Sequence, residues 1–226
     1  MKAFRMIVAG GLLSTAIAAT AQADTLANWT FEASVPSTAG PHVAEDGVFA
    51  GISLASGMHA AASAYSNPVG NGSVESFSST AWSIGDYYQF TTSSTGYENL
   101  SFSIDHTSSN TGPRDFTVAW STDGVSFTDF SSYMVLANAT PNPVWTSGTY
   151  LPKYTSVFDL SSITALNDAA SIYIRVVQNS NVSANGSTVA SGGTSRVDNV
   201  IISGSLIPEP ASLALLALGG LLIRRR

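Results

Sequence analysis

The sequence predicts an all-β fold, a two-sheet antiparallel sandwich of jelly-roll type, and three observations carry that reading. Apolar and polar side chains alternate at a period of two through the middle of the chain, the spacing that turns one strand face to a core and the other to water. Clusters of Gly, Ser, Thr, Asn and Asp interrupt these runs at short intervals, as turns between strands do. The body shows neither a sustained helical period nor a repeat of fixed length, which disfavours bundles, propellers and solenoids. At 226 residues the chain has room for one such domain, placed at 24–206 between a signal helix at 1–23 and a short hydrophobic helix within 207–226. Cysteine is absent, which excludes disulfides, thiolate metal sites and a Cys nucleophile.

The N-terminal segment comes first. Lys2 and Arg5 precede an apolar run from Ile7 to about Ala18, and Ala21-Gln22-Ala23 supplies the small residues at which a signal peptidase cuts. The mature chain is expected to begin at Asp24. From there to Ile207 the body holds 14 acidic residues against four basic ones, Arg114, Lys153, Arg175 and Arg196. Nucleic acid is therefore excluded as a partner, because phosphate binding needs clustered Lys and Arg.

Strands follow in order. Trp29-Thr30-Phe31-Glu32 opens the domain, and Tyr87 to Thr92 alternates cleanly. Leu100, Phe102, Ile104 and His106 form one face against Ser101, Ser103 and Asp105. Phe116, Val118 and Trp120 lead into the Asp123-Gly124 turn, and Val125, Phe127 and Asp129 are expected to return as a hairpin partner. Further strands are expected at Ser156–Leu160, Ser171–Val177 and Arg196–Ser203, with one short helical turn within Ser161–Ala170. Ser108 to Pro113 links two strands, and the polar, glycine-rich stretch Asn179 to Thr194 is expected to be mobile.

The C-terminus ends in IPEPASLALLALGGLLIRRR. The apolar run Ala211–Ile223 would cover about 20 Å as a helix, short of the ~30 Å hydrocarbon core. Arg224, Arg225 and Arg226 would hold its end in the cytoplasm and leave the body on the far side of the membrane. Pro208-Glu209-Pro210, a short apolar helix and terminal arginines, in a chain that also carries a signal peptide, resemble the PEP-CTERM sorting signal of Gram-negative bacteria. The resemblance implies recognition by an exosortase, a transient inner-membrane intermediate, and release to the cell surface or matrix, often beside exopolysaccharide. The body is similar to secreted β-sandwich modules of PEP-CTERM proteins, distant relatives of galactose-binding-type jelly rolls, through Asp86-Tyr87-Tyr88-Gln89-Phe90-Thr91, Ser121-Thr122-Asp123-Gly124 and Arg196-Val197-Asp198-Asn199-Val200.

Chemistry is sparse in the sequence. No Gly-x-Ser-x-Gly elbow occurs, and His42, His59 and His106 have no motif spacing. Asp105, Asp115, Asp123 and Glu75 are nominal members of a glycosidase carboxylate pair, though Asp123 before Gly124 suits a turn better. Glu32 on the first strand and Asp198 on the last are expected to meet, and with backbone oxygens they are the candidate ligands of a structural Ca²⁺. Among the aromatics, Trp120 fits a core, while Trp82 and Tyr87, beside polar residues, are the expected exposed pair able to stack on sugar. These observations predict an exported surface or matrix protein, structural or adhesive and without enzymatic activity. A carbohydrate-binding module is the alternative and a glycan-active hydrolase the third reading.

Overall fold

Thirteen strands in two sheets make up the fold, seen in a computed structural model that describes residues 22–208. In chain order they are β1 (Ala23–Trp29), β2 (His42–Val43), β3 (Leu54–Met58), β4 (Tyr65–Ser66), β5 (Phe77–Ser79), β6 (Tyr87–Thr92) and β7 (Tyr97–Ser108). After them come β8 (Asp115–Ser121), β9 (Thr128–Met134), β10 (Leu136–Ala137), β11 (Thr155–Asp159), β12 (Ile172–Gln178) and β13 (Ser195–Leu206). The six-stranded sheet has the order β2-β3-β6-β12-β8-β9, with each neighbouring pair antiparallel. In the seven-stranded sheet the long strands β7 and β13 lie side by side at the centre, with β1 and β5 along the outer edge of β13 and β10 and β11 along that of β7. The two-residue β10 is the parallel exception.

Alternation drives the sandwich. In β6 the residues Tyr88, Phe90 and Thr92 are buried while Tyr87, Gln89 and Thr91 are half-exposed, and β12 repeats the pattern with Ile172, Ile174 and Val176 inside. The inner faces meet through a file of rings that crosses from sheet to sheet: Trp29 lies 5.3 Å from Phe90, Phe90 lies 5.8 Å from Phe102, and Phe102 lies 6.0 Å from Phe158. Burying such faces is the main favourable term for a fold without disulfides or long helices.

The expected strands at 87–92, 100–106, 116–120, 156–160, 171–177 and 196–203 are present, several of them longer than the alternation indicated. The hairpin return differs. Val125 and Phe127 belong to the turn, because the Asp123 carboxylate accepts the N–H groups of Val125 and Ser126 at 2.8 Å and withholds them from a ladder, so β9 begins at Thr128. The segment Asn179–Thr194 also departs from its expected mobility. Its backbone donates to the carbonyls of Asn110, Thr111 and Gly112, and it carries an isolated bridge from Val182 to Thr188.

Chain ends meet at one edge. Ala23, the last residue of the expected signal, pairs with Ser205, and Pro208 is exposed just beyond β13. Ala21, Glu209, Pro210, Arg224, Arg225 and Arg226 lie outside the described residues. Among the described residues no helix is long and apolar enough to cross a membrane.

Candidate functional site

The outer face of the six-stranded sheet carries the most developed surface site. Strand register places Met58, Tyr87, Val177 and Thr117 in one row, with Ser56, Gln89, Arg175 and Ala119 in the next. Arg175 is the centre. Its guanidinium carbon lies 3.9 Å from the ring centre of Tyr87 and 3.5 Å from that of Phe127, so the cation is held between two aromatic faces. Its Nε–H donates to Gln89 Oε1 at 2.8 Å. Burial lowers its pKa from the usual arginine value.

Local structure builds this stack. Tyr87 and Arg175 point outward because their neighbours Tyr88, Ile174 and Val176 point inward. Phe127 is delivered by the β8–β9 turn, in which Ser121 Oγ accepts the N–H groups of Asp123 and Gly124. The same turn brings Gly124 onto Tyr173, where a Cβ would stand 2.9 Å from the ring. Backbone N–H donors from Val125 and Ser126 hold the Asp123 carboxyl down at about 2. The turn and the Ala39–Pro41 loop are the walls of an open groove of about 360 Å³, floored by Ser56, Met58, Tyr87, Gln89 and Arg175. A shallow trough with one aromatic ring, Tyr87, beside the polar groups of Ser56, Gln89 and Arg175 suits a hydroxyl-rich ligand.

A larger hollow of about 470 Å³ beside Ala33, Ser34 and Pro41–Glu45 offers less chemistry. Its Glu45 carboxylate is already occupied by the N–H groups of Glu32, Ala33 and Ser34 and by the Thr30 hydroxyl.

Of the expected glycan pair, Tyr87 is on the site and Trp82 is not. Trp82 is 5% exposed, packs edge-on against His59, Tyr88 and Phe116, and donates its indole N–H to the Ser79 carbonyl at 3.0 Å. Its neighbour in sequence Asp86 turns inward and accepts the N–H of the exposed Ser83 at 2.7 Å, closing a loop that carries the ring into the core. Phe127 and Arg175 escaped the sequence reading. Their signal was there, since Arg175 is a lone cation on an alternating strand, but the pairing with Tyr87 needs the register.

Glu32 and Asp198 are drawn onto one loop but not into a metal cage. Glu32 Oε1 accepts the Glu75 N–H at 2.7 Å, while Asp198 Oδ2 accepts from the Asn71 N–H at 2.7 Å and the Ser73 hydroxyl at 2.6 Å. A Cβ at Gly70 would collide with Ser73 Oγ and Asp198 Oδ2, so only glycine lets the loop approach this closely. Donors therefore surround Asp198, where Ca²⁺ would require further oxygen acceptors. Among the described residues no group of three His, Cys, Asp or Glu could hold a metal ion. Asp105 sits in the same buried cluster, where the Asn199 side-chain amide donates to both aspartates and the Asn71 side-chain amide to Asp105 alone, and burial raises the carboxyls of both, Asp198 to about 7.

The other nominal acids are engaged elsewhere. Asp115 pairs with Arg114 at 2.7 Å, Glu75 accepts from Asn67 at 2.6 Å, and Asp123 closes its turn. A triad-like row does exist: His59 Nδ1 lies 3.1 Å from Asp86 Oδ2 and His59 Nε2 lies 3.0 Å from Ser79 Oγ. Ser79 is fully buried under Trp82, and its hydroxyl also meets Tyr88 Oη at 3.0 Å, so no substrate reaches the oxygen. Burial lowers the His59 pKa, and the row joins the two sheets as a hydrogen-bond chain.

No family model matches the chain, and no curated protein does. Similar solved structures include the Clostridium thermocellum xylanase 10B CBM22-1–GH10 modules complexed with xylohexaose, at 13% identity and a TM-score of 0.46, covering 83% of this chain and 30% of that one. The K2 cleaved adhesin domain of Lys-gingipain matches at 10% identity and a TM-score of 0.43, covering 77% and 96%. The solution structure of CtCBM11 matches at 16% and 0.38, covering 84% and 100%. Likenesses at this level carry no argument about ligand. The chain spans less than a third of the xylanase structure's length.

Proposed function

We propose that this chain is an exported surface or matrix protein whose body is a non-catalytic polysaccharide-binding module, with the sugar chain lying across β6 and β12. The observation that carries this reading is Tyr87 and Arg175 side by side on the floor of an open groove, with Phe127 also packed against the Arg175 guanidinium. Rings held by strand register and a capped turn lose little freedom on binding. The buried Ser79–His59–Asp86 row and the engaged carboxylates favour binding over hydrolysis.

Delivery is proposed from the sequence. Signal peptidase would cut near Ala21–Ala23, and an exosortase-type enzyme would read Pro208-Glu209-Pro210, with Arg224–Arg226 as the membrane stop. The antiparallel pairing of Ala23 with Ser205 is compatible with this topology, since the first and last described strands have these ends side by side. A structural or adhesive role in an exopolysaccharide matrix follows if the groove ties the delivered protein to that polymer.

Affinity electrophoresis of the purified protein through gels containing neutral or carboxylated polysaccharides tests the proposal. At least one polymer should retard the wild type, and Tyr87→Ala or Phe127→Ala should weaken that retardation about tenfold or more without shifting the melting temperature by more than a few degrees. Equal retardation of wild type and both variants would overturn the assignment of this face.

A further inference from the structure

We infer that the groove selects polysaccharides carrying carboxylate sugars, with Arg175 as the residue that reads the carboxylate. This rests on the polysaccharide-binding reading and deepens it.

Consider the four cations of the body. Arg114 is paired with Asp115, Lys153 donates to Asn142, and Arg196 donates to the Val69 carbonyl. Arg175 shares with Lys153 and Arg196 the lack of a carboxylate partner among the described residues, but it alone lines the groove and packs within 4 Å of two ring centres. Its Nε is satisfied by Gln89, and its two terminal nitrogens have no acceptor among the described residues. The nearest acid by register, Asp129, lies two strands away beyond Ala119. Tyr87 and Phe127 both lie against the guanidinium, their ring centres 3.9 Å and 3.5 Å from its carbon, and hold it in place on the groove with terminal N–H groups still free for an acceptor. A planar fork of donors, fixed before the ligand arrives, matches a carboxylate in bidentate fashion and hydrogen-bonds it more strongly than it would a neutral hydroxyl.

The rest of the groove fits the same occupant. The floor beside Arg175 is uncharged, with Ser56, Gln89 and Met58, so the negative group has one place to go. The body as a whole is acidic, which opposes an anionic polymer at long range. Selectivity must then come from a short-range contact on an immobilised cation. That contact is what the stack provides.

The test uses the full-length protein and one polymer in two chemical forms, polygalacturonate and the same chain with its carboxyl groups reduced to primary alcohols. The wild type should bind the carboxylated form about tenfold more tightly or better, with the preference shrinking in high salt. Arg175→Gln should bind both forms alike. Arg175→Lys, which keeps charge but loses the planar fork, should retain only part of the preference. Melting curves identify any variant that fails to fold, and the salt dependence of the wild type stands on its own in that case. If the wild type binds both forms equally while Tyr87→Ala abolishes binding, the carboxylate inference is wrong and the polysaccharide reading survives. If the wild type binds neither these nor any other polymer in either charge state, both fall.

Discussion

Asp198 and His106 are buried on opposite faces of the β7–β13 pair and respond to pH in opposite directions. The Asp198 carboxyl, raised by burial to about 7, binds a proton more tightly folded than unfolded. Its contribution to stability is full below the unfolded carboxylate range and is lost as pH rises from about 4 through about 7. His106 is fully buried between Ser195 Oγ and Tyr133 Oη, each at 2.7 Å, and desolvation lowers its pKa to about 3. Its contribution is present above the ordinary histidine value and is lost as pH falls from about 6.5 through about 3. Between about pH 4 and 6.5 the two slopes, each at most ~1.4 kcal/mol per pH unit, oppose one another. Urea unfolding of the wild type should therefore vary little over this window from these two groups. Asp198→Asn should lose stability toward acid more steeply, by about one proton. Indistinguishable pH slopes for the two proteins would show that Asp198 is ionised in the fold.

The β8–β9 turn makes the case for an element that shapes a site without touching ligand. Asp123 is exposed, so its removal should leave the melting temperature nearly unchanged. Val125 and Ser126 would lose their acceptor, and Phe127 would lose its fixed position over Arg175. Asp123→Ala is expected to weaken polymer binding severalfold in affinity electrophoresis, and an unchanged affinity would show that Phe127 is placed by other contacts. The sequence showed the turn and its residue types, because Asp-Gly between apolar runs has a local physical cause. It did not show where the turn stopped, since the claim of Asp123 on two further N–H groups extends beyond the dipeptide. Strands such as β2, β4 and β10 are two residues long and too short to display a period. Conversely, β6 and β12 were legible because full alternation persists through them. The candidate site was half legible for the same reason: Tyr87 has an outward place on a readable strand, whereas Phe127 comes from a turn and Trp82 follows a loop that folds inward.

At the scale of the molecule, β13 is the strand on which closure depends. It pairs with β7 along one edge and with β5 and β1 along the other, joining the beginning, middle and end of the chain. Ile202 lies opposite both Ala27 and Phe102 and is fully buried. Ile202→Ala should cost about 2–5 kcal/mol in urea unfolding, a cavity-sized loss, and should loosen the pairing that brings the two chain ends together. A loss below ~1 kcal/mol would mean that the sandwich closes without this contact. The arrangement separates two tasks: one sheet pairs the first and last described strands, and the other presents Tyr87 and Arg175 on its far face.

Backbone amide chemical-shift mapping during titration with an oligosaccharide from a retarding polymer tests the central claim most directly. The account predicts that the perturbed amides cluster on β6, β12 and the 122–127 turn, with Tyr87, Gln89, Arg175 and Phe127 among the largest. Perturbations confined to the seven-stranded sheet, or to the hollow beside Glu45, would contradict it.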